Sequence, residues 1–545
     1  MTDEPKDATA NRGADVDRRA AASRWRWWTG LLPVFAIAFA FHLWLEYRSA
    51  DLHGVDGYYH TRLTWMYATG ELNPLSDRLP WMTFGSYGKL FADWQFGYHV
   101  FLAPFLVLGL VTGGKVSAAF FASFLASTIH AILRSHRVPL AWAFGLLSCA
   151  ASGMHLSRMH LVRPTTLLVA LLLIVAHAAV SRKPRAFFGW TVLMLFVYDV
   201  PHNALAVTGL ACGAIAACSG RFAWKVALAG AAAVVVAIPL NPGFWSWEGE
   251  FWGLDHGLFR VWDQMGGSLQ AAKDGGFVLV DGVSVPIEAP GEFKAPNGRV
   301  ILDDFQVPLW MLLLGLVLLA LPARRQLHPF VLVSTGLAGL YFWLFLAHLR
   351  FFEYWIPFTL LATGMAFGRV VGDDPREVWR SWRARPWLQS LSWSVLVVFA
   401  LVVLGTHATR AVRTAAQTLD VKTGVGAKFE EPMAWLVENT ERGELVFHES
   451  WPGFAPMFHF NQWNHFVIGL DPYFFYQDDP VGYREWNTAA RGGYDPVRTR
   501  KVVRDMGARW AIAKRNGPLA ERLREAPRCE EVFQTRRYAI FRVDE

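Results

Sequence analysis

The chain contains about eleven apolar runs that are long enough, or nearly long enough, to span a bilayer, and this feature constrains its fold most. A segment inside lipid must satisfy its backbone polar groups internally, so each run is predicted to form an α-helix. We therefore expect a mostly α, polytopic membrane helix bundle. The runs lie near residues 29–46, 116–133, 139–155, 165–181, 186–199, 203–219, 224–240, 307–322, 329–346, 351–371 and 389–407.

The composition agrees with a membrane protein. Hydrophobic residues make up 53% of the chain and charged residues only 18%, whereas soluble proteins carry about 25% charged residues. The net charge of +7 sits largely in short clusters between apolar runs, which indicates a topology signal and no nucleic-acid partner. The four cysteines have neither the spacing of a disulfide framework nor that of metal ligands.

Basic residues predict which ends of the runs face the cytoplasm. Four arginines precede the first run, and the basic connections 134–137, 182–185 and 372–386 then all fall on the same side. The positive-inside rule therefore predicts a cytoplasmic N-terminus. This assignment holds only if Tyr98–Leu110 does not span, so we expect that run to form a helix lying at the outer interface.

Three regions follow from these patterns. Residues 1–22 are small and polar and are predicted to be a disordered cytoplasmic N-terminus. Residues 23–407 are predicted to form the transmembrane domain, with outer loops 46–115 and 241–306. Residues 408–545 alternate helix-like segments with strand-like ones such as ELVFHE and RWAIAK, and they end in a hairpin pattern. This alternation predicts a small α/β domain on the outer, periplasmic face.

Asp56, in the stretch VDGYYHTR just after the first run, is the leading candidate for a functional carboxylate. It is either a general base or metal ligand, or else a loop aspartate that begins a turn with Gly57. Asp93 is either the N-cap of the interfacial helix or a second carboxylate facing Asp56. Asp56 and Asp93, with His60 or His99, would suit Mg²⁺ or Mn²⁺.

A second group of candidates is basic. Arg158 and Arg163 make one outer connection basic against the usual charge bias, which a phosphate partner would explain. Anionic lipid headgroups are the alternative partners. Arg350 has the same interpretation, with Glu353 one turn on as a possible ion-pair partner. His60, Arg62 and His99 complete the predicted substrate- and phosphate-binding set.

DGYYHTR after the first helix, VPIEAPGEF in the long outer loop and HLRFFEYWIPF before a late run together resemble the glycosyltransferase superfamily C, or GT-C. The archaeal and bacterial oligosaccharyltransferase catalytic subunits are the branch that these motifs resemble. Nearly the whole chain also resembles uncharacterised bacterial membrane proteins of this superfamily, through segments such as LFADWQFGYHVFLAPF. The branch's second acidic pair is absent from SGMHLSRMHLVRP, and HESWPGF stands in place of its WWDYG signature.

The resemblance implies a function and an additional site residue. It implies an inverting glycosyltransferase of the bacterial inner membrane that moves a sugar or glycan from a polyprenyl-phosphate donor to a glycan, lipid or protein acceptor. It assigns Asp56 to a divalent metal, and Glu288 to a catalytic outer loop. Two alternatives stay open, namely a transporter or flippase for lipid-linked glycans and a non-catalytic relative that acts as an assembly subunit.

Overall fold

The computed structural model of the protein describes residues 30–74, 79–85, 93–181, 183–240, 242, 277–280, 283–287, 294–321, 326–372, 387–422, 424 and 426–545. These residues form a mostly helical bundle followed by a domain with a five-stranded sheet. The predicted disordered segment 1–22 and the candidate Glu288 lie outside the described residues. The bundle helices are α1 Gly30–Glu46, α2 Asp56–Thr69, α3 Phe96–Leu102, α4 Leu110–Ser135, α5 Ala141–Leu147, α6 Gly153–Met159, α7 Thr165–Val180, α8 Pro184–Val197, α9 Pro201–Ser219, α10 Trp224–Ala237, α11 Gly298–Asp304, α12 Gln306–Ala320, α13 Pro329–Ala347, α14 Phe352–Val371 and α15 Trp387–Lys422.

Three of the described helices, α4, α9 and α13, are long and apolar enough to cross a membrane by length and composition. Helices α11 and α12 meet at a bend of 80° and would add a fourth crossing if they form one broken span. Helices α1, α7, α8 and α10 are apolar but shorter. The helical class is therefore confirmed, whereas the count of about eleven spans and the orientation stay predictions.

The run predicted at 139–155 does not form one helix. It divides into α5 and α6, and the start of α6 is held by a carboxylate from far along the chain. The Ser152 hydroxyl donates to Asp304 at 2.6 Å, and the backbone amide of Gly153 donates to the same side chain at 2.9 Å. Asp304 satisfies helix-end donors that would otherwise be buried without a partner, and this stabilises the break.

Helix α7 is the centre of the bundle. Its sequence is apolar on all sides, and nearly every residue in it is buried. A helix that is hydrophobic all round must be enclosed by others, and α7 contacts α4, α8, α9, α13 and α14. The helices packed around α7 hold it in place. Since α7 begins at Thr165, they also restrict the position of the preceding segment 158–163.

The segment Tyr98–Leu110 that we expected at the outer interface lies outside the long helix α4 except for its last residue, Leu110, where α4 begins. Helix α3 continues as a 3-10 helix over Ala103–Leu108, and Gly109, with a φ of 94°, separates it from α4. That backbone conformation suits glycine and ends the helical run. Whether this segment lies along the interface stays a prediction.

The C-terminal region forms the predicted α/β domain. Its sheet has the order β4-β3-β5-β7-β6, in which β4, β3 and β5 are parallel and β7 and β6 are antiparallel. The strand-like segments ELVFHE and RWAIAK become β3 and β5, and the final hairpin becomes β6 and β7, so these predictions are confirmed. The strands are β3 Leu445–His448, β4 His465–Phe466, β5 Trp510–Lys514, β6 Cys529–Gln534 and β7 Tyr538–Val543; the helices are α16 Glu430–Asn439, α17 Phe454–Phe460, α18 Pro472–Asp478, α19 Pro480–Ala490, α20 Pro496–Asp505 and α21 Pro518–Glu525.

Described parts of the two loops that we predicted to face outward, 46–115 and 241–306, contact this domain. Residues 81–84 of the first loop run along edge strand β4, where Thr83 donates its amide to the Phe466 carbonyl at 2.9 Å. The second loop contributes the hairpin β1 Phe277–Val280 and β2 Val283–Pro286. Its Pro286 carbonyl accepts hydrogen bonds from Asn487 at 2.7 Å and from Tyr483 at 3.1 Å. The domain therefore holds residues 81–84 and the hairpin 277–286 in place.

Candidate active site

Asp56 is the first residue of helix α2, and 44% of its side chain is exposed. Its neighbour Gly57 lies so close to the segment before α7 that an added Cβ would be 3.2 Å from the Cβ of Val162. This close approach brings Arg163 beside Asp56, with Nη1 at 3.6 Å from Oδ2. The carboxylate is thus oriented by a cation but still open to a substrate.

Arg163 belongs to a buried group of charges that we call the arginine–glutamate cluster: Arg158, Arg163 and Glu353. Oε1 of Glu353 accepts hydrogen bonds from Arg158 Nε at 2.5 Å and from Arg163 Nη2. The side chains of Arg163 and Glu353 are only 7% and 6% exposed, and that of Arg158 is 17% exposed. Buried charges require such pairing, so Glu353 holds both guanidinium groups, of which that of Arg163 lies beside Asp56.

The other predicted carboxylate heads a chain of histidines. Asp93 Oδ2 lies 2.7 Å from His99 Nδ1, and His99 Nε2 lies 2.9 Å from His60 Nδ1. All three side chains are almost fully buried. Because His60 is one turn after Asp56 on α2, the two share a helix face. Asp93 also accepts the Gln95 amide at 3.0 Å just before α3, so it stabilises that helix start in addition.

The hydrogen-bond chain fixes the protonation pattern of the two imidazoles. With Asp93 ionised, His99 donates from Nδ1 and accepts at Nε2, so His60 donates from Nδ1 and carries its lone pair on Nε2. Burial, together with His99 and Arg163, holds the pKa of His60 well below its ordinary value. His60 is therefore a neutral imidazole, and the positive charge of Arg163 disfavours its protonation.

Arg62 and Arg350 lie in different surroundings from the arginine–glutamate cluster. Arg62 Nε donates to the backbone carbonyl of His459 at 2.8 Å, so this side chain connects α2 to α17. Arg350 approaches the Tyr198 hydroxyl at 3.5 Å. Glu353, which sequence spacing suggested as a partner for Arg350, binds Arg158 and Arg163. The predicted phosphate-binding role is best matched by Arg158 and Arg163.

A second buried carboxylate–histidine chain lies behind the same segment. Glu46 Oε1 is 2.8 Å from His160 Nδ1, and His160 Nε2 is 3.1 Å from His42 Nδ1. Lys115 donates to the Ser49 carbonyl nearby. These side chains are all buried. Since His160 lies between Arg158 and Arg163 in sequence, this chain anchors the segment that carries the two arginines.

Two residues at the site were not among the predicted site residues. Tyr98 is fully buried, Asp56 and Arg163 both contribute to its electrostatic environment, and its hydroxyl has no hydrogen-bond partner among the described residues. His155 is also buried, and neither of its ring nitrogens has a hydrogen-bond partner in the described part of the chain. Only the position of His155 close to Arg158 in sequence hinted at a role.

His155 lines a small recess next to the arginine–glutamate cluster. Its cavity volume is about 10 Å³, which is room for about one water molecule. Arg158 and Glu353 contribute its charged wall, and Thr165 and Thr166, at the start of α7, contribute hydroxyl groups. The apolar wall consists of Leu125, Met159 and Val169.

The described side chains alone do not assemble a complete Mg²⁺ or Mn²⁺ site. Within the described ranges, no group of three or more His, Cys, Asp or Glu side chains is arranged to hold a metal ion. Asp56 is beside a guanidinium, and the two oxygens of Asp93 are engaged by His99 and Gln95. The predicted metal ligation by Asp56 and Asp93 therefore stays a prediction, and no chemical step below depends on a metal.

The fold has clear counterparts among solved structures, although no protein-family model and no curated protein matches the sequence. The apo crystal structure of the Archaeoglobus fulgidus oligosaccharyltransferase matches with a TM-score of 0.61 at 12% identity, over 89% of this chain and 69% of that chain. The complex of archaeal oligosaccharyltransferase AglB from the same organism with an inhibitory peptide and a dolichol-phosphate gives a TM-score of 0.57 at 11% identity, over the same shares of the two chains, 89% and 69%. Apo ArnT from Cupriavidus metallidurans gives 0.52 at 12% identity, over 96% of this chain and 98% of that chain.

Proposed function

Because the chain has the GT-C fold, we propose that it is an inverting membrane glycosyltransferase. It takes a sugar or glycan from a polyprenyl-phosphate donor and transfers it to a glycan, lipid or protein acceptor. The observation that carries this proposal is a half-exposed carboxylate, Asp56, beside the buried Arg163, which Glu353 joins to Arg158. We place the protein in the bacterial inner membrane, with the C-terminal domain in the periplasm.

The arrangement suits a single displacement at the anomeric carbon of the donor sugar. The acceptor oxygen or nitrogen attacks this carbon from the face opposite the phosphate, and the bond from carbon to phosphate oxygen breaks. The phosphate keeps the electron pair, while the acceptor's proton passes to the Asp56 carboxylate. Guanidinium groups neutralise the developing phosphate charge, which is the role of Arg158 and Arg163. This single displacement inverts the configuration at the anomeric carbon.

The Asp93–His99–His60 chain assists this step in the proposed mechanism. The neutral His60 ring lies one turn from Asp56 and is hydrogen-bonded through His99 to a buried carboxylate. Such a chain orients the imidazole. Because the pKa of His60 lies well below its ordinary value, the ring stays neutral and Asp56 remains the acceptor of the proton. Arg350 and Arg62 act outside the reacting centre, and Glu288 acts from the second outer loop.

Asp56 provides the direct test. We expect Asp56→Ala to lower transfer by about 10²–10⁴-fold, the usual contribution of a positioned base, while expression and membrane insertion stay normal. Asp420→Ala is the matched control, because Asp420 is also a half-exposed aspartate that pairs with an arginine, at 3.3 Å. The assay measures transfer from polyprenyl-phosphate sugars by the purified protein in detergent.

The same assay separates the remaining possibilities. Full activity of Asp56→Ala would contradict the assignment. Activity or donor binding that rises with added Mn²⁺ and loses this response in Asp56→Ala would support the predicted metal site. A wild-type protein that binds no lipid-linked sugar at all would favour the non-catalytic assembly subunit.

A further inference from the structure

Five basic residues of the C-terminal domain gather at one end of its sheet. Strand β5 ends at Lys514, which pairs with Tyr538, the first residue of β7. The turn after β5 therefore lies beside the turn between β6 and β7, and the Arg515 amide donates to the Arg537 carbonyl at 2.8 Å. Lys428 Nζ lies 5.9 Å from the centroid of the Tyr538 ring. We call this group the basic surface: Lys428, Lys514, Arg515, Arg536 and Arg537.

Little negative charge opposes the basic surface. Lys428 is partly buried, and the other four residues are exposed. In the part of the chain that the structure describes, its one ion pair with a carboxylate joins Lys514 Nζ to Glu449 at 3.4 Å, and the Glu449 side chain is only 9% exposed. Burial holds the pKa of Lys428 below its ordinary value, and the positive charges of Arg537 and Lys514 lower it further. The five cations therefore repel one another and favour an anionic partner from outside the chain.

The basic surface is connected to the end of the bundle that we predict to face outward. Near the C-terminal end of α1, Trp44 and Tyr47 are 52% and 55% exposed. Exposed Trp and Tyr side chains at a helix end are typical of the interface between membrane and water. Asp51, which follows shortly after, accepts the Ala427 amide at 3.1 Å. The next residue, Lys428, is therefore held close to the predicted bilayer surface.

We propose that the basic surface binds the headgroups of anionic phospholipids and thereby holds the C-terminal domain against the bilayer. Position and charge together favour this partner. Each basic residue next to an anionic membrane contributes about a fivefold gain in affinity, and guanidinium groups match phosphate oxygens well. The inference goes beyond the proposed function, because it involves neither the sugar donor nor the acceptor.

The test measures hydrogen exchange of the full-length protein in lipid nanodiscs by mass spectrometry. One set of discs contains phosphatidylcholine alone, and the other contains equal parts of phosphatidylcholine and phosphatidylglycerol. We expect phosphatidylglycerol to slow exchange about fivefold or more in the two turns of the basic surface, residues 515–517 and 535–537. Residues 507–509 and 526–528, which precede β5 and β6 at the opposite end of the sheet, should exchange at the same rate in both discs.

Two triple variants test whether the charges of this surface cause the effect. The first should lose the slowing and combines Arg515→Gln, Arg536→Gln and Arg537→Gln. The second is the matched control, should keep the slowing, and combines Arg509→Gln, Arg528→Gln and Arg542→Gln. Both remove three positive charges from exposed positions of the same domain. The control positions lie at the opposite end of the sheet, where Arg542 pairs with Trp510 at the start of β5.

Every outcome supports or overturns the inference. Slowing that persists in the first triple variant would overturn it, and so would equal loss in both variants, because net charge would then be responsible. A wild type that exchanges equally in both discs would refute it. Glycerol phosphate added to phosphatidylcholine discs supplies the same headgroup chemistry in solution, and slowing by this ion alone would overturn a membrane role. Since the discs contain no sugar donor, a protein that shows the slowing but transfers no sugar would refute only the proposed function.

Discussion

The arginine–glutamate cluster permits a quantitative prediction, because it is buried and one carboxylate serves two arginines. Glu353→Gln removes that charge and leaves two guanidinium groups buried without it. Removing one partner of a buried ion pair costs about 3–5 kcal/mol. The amide oxygen of glutamine still accepts a hydrogen bond, which recovers about 1 kcal/mol. We therefore expect the free energy of unfolding to fall by about 2–4 kcal/mol.

The measurement is equilibrium unfolding in mixed detergent micelles, followed by helical circular dichroism. Glu530→Gln is the matched control, because Glu530 pairs with Arg542 at 2.7 Å while its side chain is 60% exposed and that of Arg542 is 46% exposed. An exposed pair of this kind contributes about 0–1 kcal/mol. A Glu353→Gln variant that is no less stable than Glu530→Gln would refute the reasoning that buried charge pairing holds the two arginines.

Two further predictions concern the C-terminal domain. His448 donates to the Ser450 carbonyl at 3.0 Å as a neutral ring, and burial lowers its pKa to about 4. Its contribution to the free energy of unfolding should therefore be complete above pH 6.5, the ordinary histidine pKa. We expect that free energy to fall by up to about 3 kcal/mol on acidification to pH 4. Melting of the full chain between these pH values measures this, and an equal decline in His448→Gln would contradict it. Asn487→Leu removes one of the two donors to the Pro286 carbonyl and leaves Tyr483 as the other, so it should cost about 0.5–1.5 kcal/mol. We expect faster proteolysis of the second outer loop, and an unchanged cleavage rate would show that the contact does not anchor the loop.

Local patterns predicted the elements of the fold well. Apolar runs indicated most bundle helices because a backbone in lipid must satisfy its hydrogen bonds internally. The alternation of helix-like and strand-like segments after residue 408 indicated the α/β domain. The run at 139–155 was the exception. The break between α5 and α6 depends on Asp304, which accepts hydrogen bonds from backbone amides about 150 positions earlier in the sequence. No periodicity within the run carries that information.

The candidate site was predictable only in part for the same reason. Asp56 and the arginines 158 and 163 stood out because polar residues at the outer ends of apolar runs are costly unless they are paired or used. Sequence spacing favoured Arg350 as the partner of Glu353, since helix neighbours three positions apart commonly pair. The fold instead pairs Glu353 with Arg163 and Arg158, which lie 190 and 195 positions earlier in the sequence. Long-range pairing of this kind follows from helix packing, which spacing does not encode.

The hydrogen bonds between helix α2 and the C-terminal domain have a consequence for when the protein becomes active during its synthesis. Arg62 on α2 is held by the His459 carbonyl, 397 positions later, and His459 in turn donates to the Tyr58 carbonyl at 3.1 Å. During synthesis, Asp56 leaves the ribosome long before α17 exists to hold its helix. A chain that stops short of α17 would carry Asp56 on α2 without the contacts to His459 that hold that helix. Chains without α17 are therefore expected to be inactive, and activity begins only once Phe454–Phe460 has been synthesised.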